Sequence, residues 1–213
     1  MAHQIQAAVN PVEYRHAQGG GLAGWFRQAS TTRNAYALLA FAAIGYSIGV
    51  ALPLAIAKAN AMPDPYLRIA AADYFYWGIY FYAPVIAAAW LLASAVIYLI
   101  GWGFGRKADF GELLRFTAFA TGIGTLGTLL SDLVTSPLRA MGVINEQAWE
   151  QSILSQGGWW LFLWFFIVIY VALFCVGYPI AVRLATKLSW ARSIIVGAVG
   201  FLVFQGFEYI FIR

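Results

Sequence analysis

Acidic and amide side chains inside apolar stretches are the residues best placed for chemistry in this chain. Glu208 lies in an uncharged run near the end of the sequence, and Gln205 sits about one helical turn before it on the same face. Such a pair could hold a proton or a cation, because a charge in hydrocarbon persists only where something compensates it. Arg213, five residues on, is a neighbour able to neutralise Glu208. Asp132 and Arg115 bracket another apolar run, 17 positions apart. That is about 25 Å along a helix, too far for the two to pair. Each is expected near an opposite interface, where a charged tip reaches water and anchors the segment. Glu208, Gln205 and Asp132 are the candidate ion or ligand residues.

Bond-making chemistry has little to work with. His3 and His16 both lie in the polar N-terminal segment, so no His-Glu-x-x-His zinc site and no pair of haem-ligating histidines falls within a span. No span holds a Gly-x-Gly-Asp, and no Ser has a His beside it to activate it. The expectation is a protein with no catalytic residues, no metal and no cofactor. Cys175 is the only cysteine and cannot form an internal disulfide. Gly122, Gly124 and Gly127 spell G-x-G-x-x-G, yet they sit inside an apolar run instead of between a strand and a helix. They read as helix-packing positions, as do Gly45 and Gly49 in a G-x-x-x-G.

The elements that position these residues are apolar rods. Trp159–Val182 has twenty-four residues, nine of them aromatic and none charged. As a helix it would reach about 36 Å, enough to cross a bilayer core of about 30 Å. Across all 213 residues, 62% are hydrophobic and 10% charged, against about a quarter charged in soluble domains. The fold class expected is all-α: a polytopic integral membrane bundle of five transmembrane helices, with spans near 35–57, 75–102, 113–133, 159–182 and 194–212. Residues 1–34 form an N-terminal segment with an interfacial stretch around Trp25, and residues 35–213 form the membrane domain. A second interfacial helix is expected within 134–158, where Trp149 and Ile153 share one face and Glu146 and Glu150 another. Pro53, Pro84 and Pro179 are expected to kink their spans.

Thirteen Lys and Arg give a formal charge of +4, but they occur singly between apolar runs, which argues against nucleic acid. With five spans, nine of the thirteen fall on the side of the N-terminus and four on the other. The positive-inside rule therefore places the N-terminus in the cytoplasm and the C-terminus outside. Trp25 and Trp102 mark the inner level; Trp77, Trp159 and Trp160 mark the outer. Tyr74, Tyr76 and Trp77 belong to an aromatic-dense stretch, Asp73–Tyr82, expected to be an interfacial belt, with a cradle for a quinone, pigment or sterol as the alternative. No secretory signal is expected, since residues 1–30 lack an apolar core.

Several features resemble one family. They are Tyr82-Ala83-Pro84 in an early span, the polar hinge Gly105–Gly111, a Leu-rich third span, Gly177-Tyr178-Pro179 closing the fourth, and Leu188-Ser189 opening the fifth. In these, residues 75–212 look like the Yip family, the Ypt-interacting five-span membrane proteins with bacterial relatives. The resemblance implies a five-helix fold and a role in membrane organisation or as an accessory subunit. The acidic-aromatic N-terminal motif of the trafficking members is missing, so GTPase binding is not implied. The expectation is a non-enzymatic scaffold or accessory protein of the bacterial inner membrane. Its partners would be lipids and other membrane subunits or a second copy. A small transporter or channel using Glu208 is the alternative, or a lipid- or quinone-binding protein.

Overall fold

The computed structural model describes residues 21–61, 66–106, 108–144 and 160–212. Among them, helix α1 spans Leu22–Ala29 and α2 spans Thr32–Gly45; a π-helical turn, Tyr46–Ala51, carries α2 into α3, Leu52–Ile56. Then come α4 (Tyr74–Gly103), α5 (Phe110–Ala140), α6 (Trp160–Thr186) and α7 (Trp190–Phe211). Thr32–Ile56, α4, α5, α6 and α7 are each long enough and apolar enough to cross a bilayer. The chain is an all-helical integral membrane protein.

Local chemistry sets several helix ends. Thr31, Asp109 and Ser189 each accept a hydrogen bond from the amide three residues on, capping α2, α5 and α7. The π turn ends just before Pro53, whose ring in a regular helix would clash with the Gly49 carbonyl four residues back. Widening the turn relieves that clash, and the Leu52 amide reaches back five residues to Ser47. Ser47 Oγ in turn accepts from the Ala83 amide, next to Pro84, at 3.2 Å. The sequence-expected prolines are thus helical positions, accommodated by neighbours.

The five spans form a ring. α5 packs on α6, α6 on α7, α7 on α4, α4 on the π turn and α3, and α2 on α5. Small residues bring the backbones close. A Cβ on Gly122 would stand 2.9 Å from the Leu39 nitrogen, and one on Gly127 would stand 3.1 Å from the Tyr170 Cα. Gly124 faces the Phe174 ring, while Gly45 and Gly49 face Leu129 and Leu133. All five glycines singled out in the sequence are contacts within the bundle.

α5 corrects one expected boundary. The third span runs on to Ala140 instead of ending at Leu133, so 134–140 is not the start of an interfacial helix. Pro137 falls in its last turn, where little of the hydrogen-bond ladder remains to be broken. Residues 141–144 form a turn, and the rest of that expected helix, with Trp149, lies outside the described residues, as do Trp159, His3, His16 and Arg213.

From the N-terminal face to the floor of the cavity the ring is filled. Phe174, Tyr178 and Phe204 are fully buried, and the Phe174 ring stacks on Tyr178 and on Phe204 with centroids 5.4 and 5.1 Å apart. Trp90 Nε1 donates to Thr117 Oγ1 at 3.1 Å, and Tyr178 and Thr121 hydroxyls lie 2.9 Å apart. α1 inserts Phe26 against Phe116 and Phe119 while leaving Trp25 exposed, as an amphipathic interfacial helix would.

Candidate functional site

At the opposite end the five spans leave a cavity of about 550 Å³. Every span contributes: Tyr46 and Val50 from the π turn, Phe75 and Tyr82 from α4, and Thr128, Asp132 and Arg139 from α5. Tyr170 lines it from α6, and Phe201, Gln205 and Glu208 from α7. The lining comes from the last turns of odd-numbered spans and the first turns of even-numbered ones. The cavity therefore occupies the half of the bilayer that carries the end of α7, reaching about 15 Å from the helix ends at Tyr46.

The structure brings Asp132, Gln205 and Glu208, chosen from sequence, onto one lining. Gln205 and Glu208 are one turn apart on α7, as their spacing implies; Asp132 arrives from α5. The continuation of α5 puts Asp132 eight residues from the helix end, about 12 Å in. It is therefore not the surface anchor the sequence suggested. Arg115, at the other end of α5, pairs with Glu112 at 3.5 Å and lies over the Phe116 ring.

Glu208 is 8% exposed, and a described partner for its carboxylate is Tyr170. Tyr170 Oη stands 2.9 Å from Glu208 Oε2 and 2.6 Å from Gln205 Oε1. One phenol proton cannot serve both acceptors fully. With the Gln205 amide turned over, its nitrogen donates to Tyr170 and the phenol donates to Glu208, which satisfies all three. Across the cavity, Tyr46 Oη donates to Thr128 Oγ1 at 2.5 Å. Tyr82 Oη is buried on the lining without a hydrogen bond of good geometry, and Tyr82 is 1% exposed. Arg139, two turns beyond Asp132 on the same helix, lies 5.8 Å from the Phe75 ring centroid.

Sequence reasoning passed over Tyr46, Tyr170, Thr128 and Arg139 as site residues. Tyr170 looked like more of an aromatic-rich surface, Tyr82 entered only as the end of the stretch expected as a belt or a ligand cradle, and Arg139 fell in the segment expected as an interfacial helix. The available signal was helical period: in the Asp73–Tyr82 stretch, Tyr74, Phe75, Gly78 and Tyr82 face inward, while Tyr76, Trp77 and Tyr80 face out. Tyr74 corrects its expected place in the belt. It is 2% exposed, and its hydroxyl donates to the Phe211 carbonyl at 2.7 Å, capping an acceptor at the end of α7. Trp77, Tyr76 and Trp102 do face outward, and Trp160 is half-buried.

Among the described residues no three His, Cys, Asp or Glu side chains gather to hold a metal ion. What the arrangement can do is bind: two carboxylates, an amide, a guanidinium and phenol hydroxyls converge on an apolar-walled space. No family model, curated protein or solved structure matches this chain, so the reading of its function rests on this site.

Proposed function

We propose that this integral membrane protein binds a small polar solute inside the bilayer, in the cavity between its five spans, and that it works by binding and passage instead of bond chemistry. The observation that carries the reading is the convergence of Asp132, Gln205, Glu208 and Arg139, from two helices, on one ligand-sized space. Buried ionisable groups within a bilayer are costly, and a solute route is the commonest reason for keeping them. A volume of about 550 Å³ falls within the range of small-molecule pockets. The filled core between the cavity floor and the other face suits a protein that opens one side at a time. By the charge bias of the loops, the cavity would face the outside of a bacterial inner membrane.

The test is binding by the full chain in lipid nanodiscs against a panel of radiolabelled solutes sorted by charge: choline, ethanolamine, propionate and 3,3-dimethylbutan-1-ol. Saturable binding of at least one is expected, with that binding lost in Glu208→Gln. Failure of every charge class to bind would contradict the reading.

A second reading keeps the accessory role and the Yip-like kinship. It draws on α6, where Trp160, Leu161, Trp164, Phe165 and Val168 line an outward groove free of charged side chains. Lipid covers such a surface equally well, but a second copy would too. A Phe165→Cys variant in a Cys175→Ser background should then cross-link between copies in native membranes. A strict monomer would remove this reading.

A further inference from the structure

We propose that the solute is a small organic ammonium ion, held with its cationic end between Asp132 and Glu208 inside a wall of tyrosine and phenylalanine rings. This rests on the solute-binding reading and adds the chemical class. Charge is the first argument. Among the described residues the lining carries two carboxylates against one guanidinium, a formal balance of one negative charge, which a monocation neutralises and an anion worsens. Size is the second. A bare alkali or divalent ion needs several oxygen ligands at about 2–2.6 Å. The cavity holds about 550 Å³, far more than a bare ion fills, and among the described residues no three His, Cys, Asp or Glu side chains come together.

The walls narrow the class further. Tyr46 and Tyr82 pack edge to face in one wall with ring centroids 6.5 Å apart, and Tyr170 and Phe201 in another at 6.1 Å. Ring faces with carboxylates behind them are the usual way to desolvate an alkylammonium, since the ring quadrupole replaces part of its hydration. The Tyr82 hydroxyl points the same way. It is buried on the lining near Tyr74 without a hydrogen bond of good geometry, where an ammonium N–H or the hydroxyl of an amino alcohol would meet it. Leaving such a group empty is costly in a low-dielectric interior. Arg139 sits two turns nearer the membrane face than Asp132 on the same helix and is drawn over Phe75, so its charge lies toward the mouth.

Two sources supply this chemistry: a free ammonium solute and the headgroup of a lipid. Equilibrium binding of radiolabelled choline and ethanolamine to the full chain separates them, with nanodiscs of phosphatidylglycerol compared with nanodiscs of phosphatidylcholine or phosphatidylethanolamine. Saturable binding in phosphatidylglycerol is expected for at least one cation. The neutral carbon isostere 3,3-dimethylbutan-1-ol should bind about tenfold or more weakly than choline. Glu208→Gln should weaken cation binding about tenfold or more. Tyr82→Phe keeps the ring and the fold and should weaken ethanolamine about threefold. Loss of binding in the zwitterionic discs alone identifies the headgroup as the occupant; equal binding in all discs identifies the free ion.

The proposal is overturned if propionate or the neutral isostere binds as well as the cations. It is overturned equally if cation binding ignores both substitutions. In those cases the solute site stands and only its chemistry is wrong. If no probe of any charge binds, the solute-binding reading falls with it.

Discussion

Tyr170 is the residue on which the site's geometry turns. Its hydroxyl is held between Gln205 and Glu208, and its backbone is pressed against Gly127, so the phenol has little freedom to find other partners. Tyr170→Phe leaves the ring packing intact and removes the one donor that the buried Glu208 carboxylate is seen to use. A lowering of unfolding free energy by about 1–3 kcal/mol is expected, measured as a fall in the melting midpoint of the full chain in detergent. An unchanged midpoint would mean that water, not Tyr170, satisfies Glu208. Glu208 and Gln205 were legible in the sequence because a polar pair one turn apart stands out in an apolar run. Tyr170 was not, because it is one of nine aromatics in a stretch whose composition hides which face is which. Arg213, the neighbour expected to neutralise Glu208, lies outside the described residues, and a phenol from another helix supplies a described partner. Nothing local in the sequence announces a partner 38 residues away.

At the scale of the elements, α5 makes the bundle possible. It alternates small residues with buried threonines, and three of its glycines admit three different neighbours. Their role as packing positions could be read from type and spacing; which helix each would meet could not. Gly122→Val places new atoms against the Leu38 and Leu39 backbone, which cannot swing aside as a side chain can. A loss of about 1–3 kcal/mol is expected. Gly206→Ala on α7 meets nothing within 4 Å and gains helix propensity, so it should leave the midpoint unchanged or raise it slightly. Thermal melts of the two variants side by side check this, and equal effects would contradict the packing account. The third span was ended early because the apolar run gives way after Val134 to Thr135, Ser136, Pro137 and Arg139, so hydropathy stops there. The helix continues because the surrounding spans cover it, and Thr135 and Ser136 are fully buried.

At the scale of the molecule, five helices with ordinary membrane composition close into a ring whose two ends differ. Toward one, buried rings and short hydroxyl bridges fill the core; the other keeps a space lined with charge. Hydropathy revealed the number of rods and their approximate limits, since each rod answers to the bilayer's thickness. Their order around the ring depends on which small faces meet which large ones, and that is long-range information.

The central claim is that the space is reached by water from the face where α7 ends. Val50→Cys on the lining, 6% exposed, can be compared with Ile97→Cys, fully buried on the packed side, both in a Cys175→Ser background. A membrane-impermeant thiol reagent applied to sealed vesicles of each orientation should modify Val50→Cys from the α7-terminal face alone. It should leave Ile97→Cys unmodified from either face until denaturant is added. Protection of both cysteines alike would contradict the account, because a cavity closed to water could not receive a polar solute.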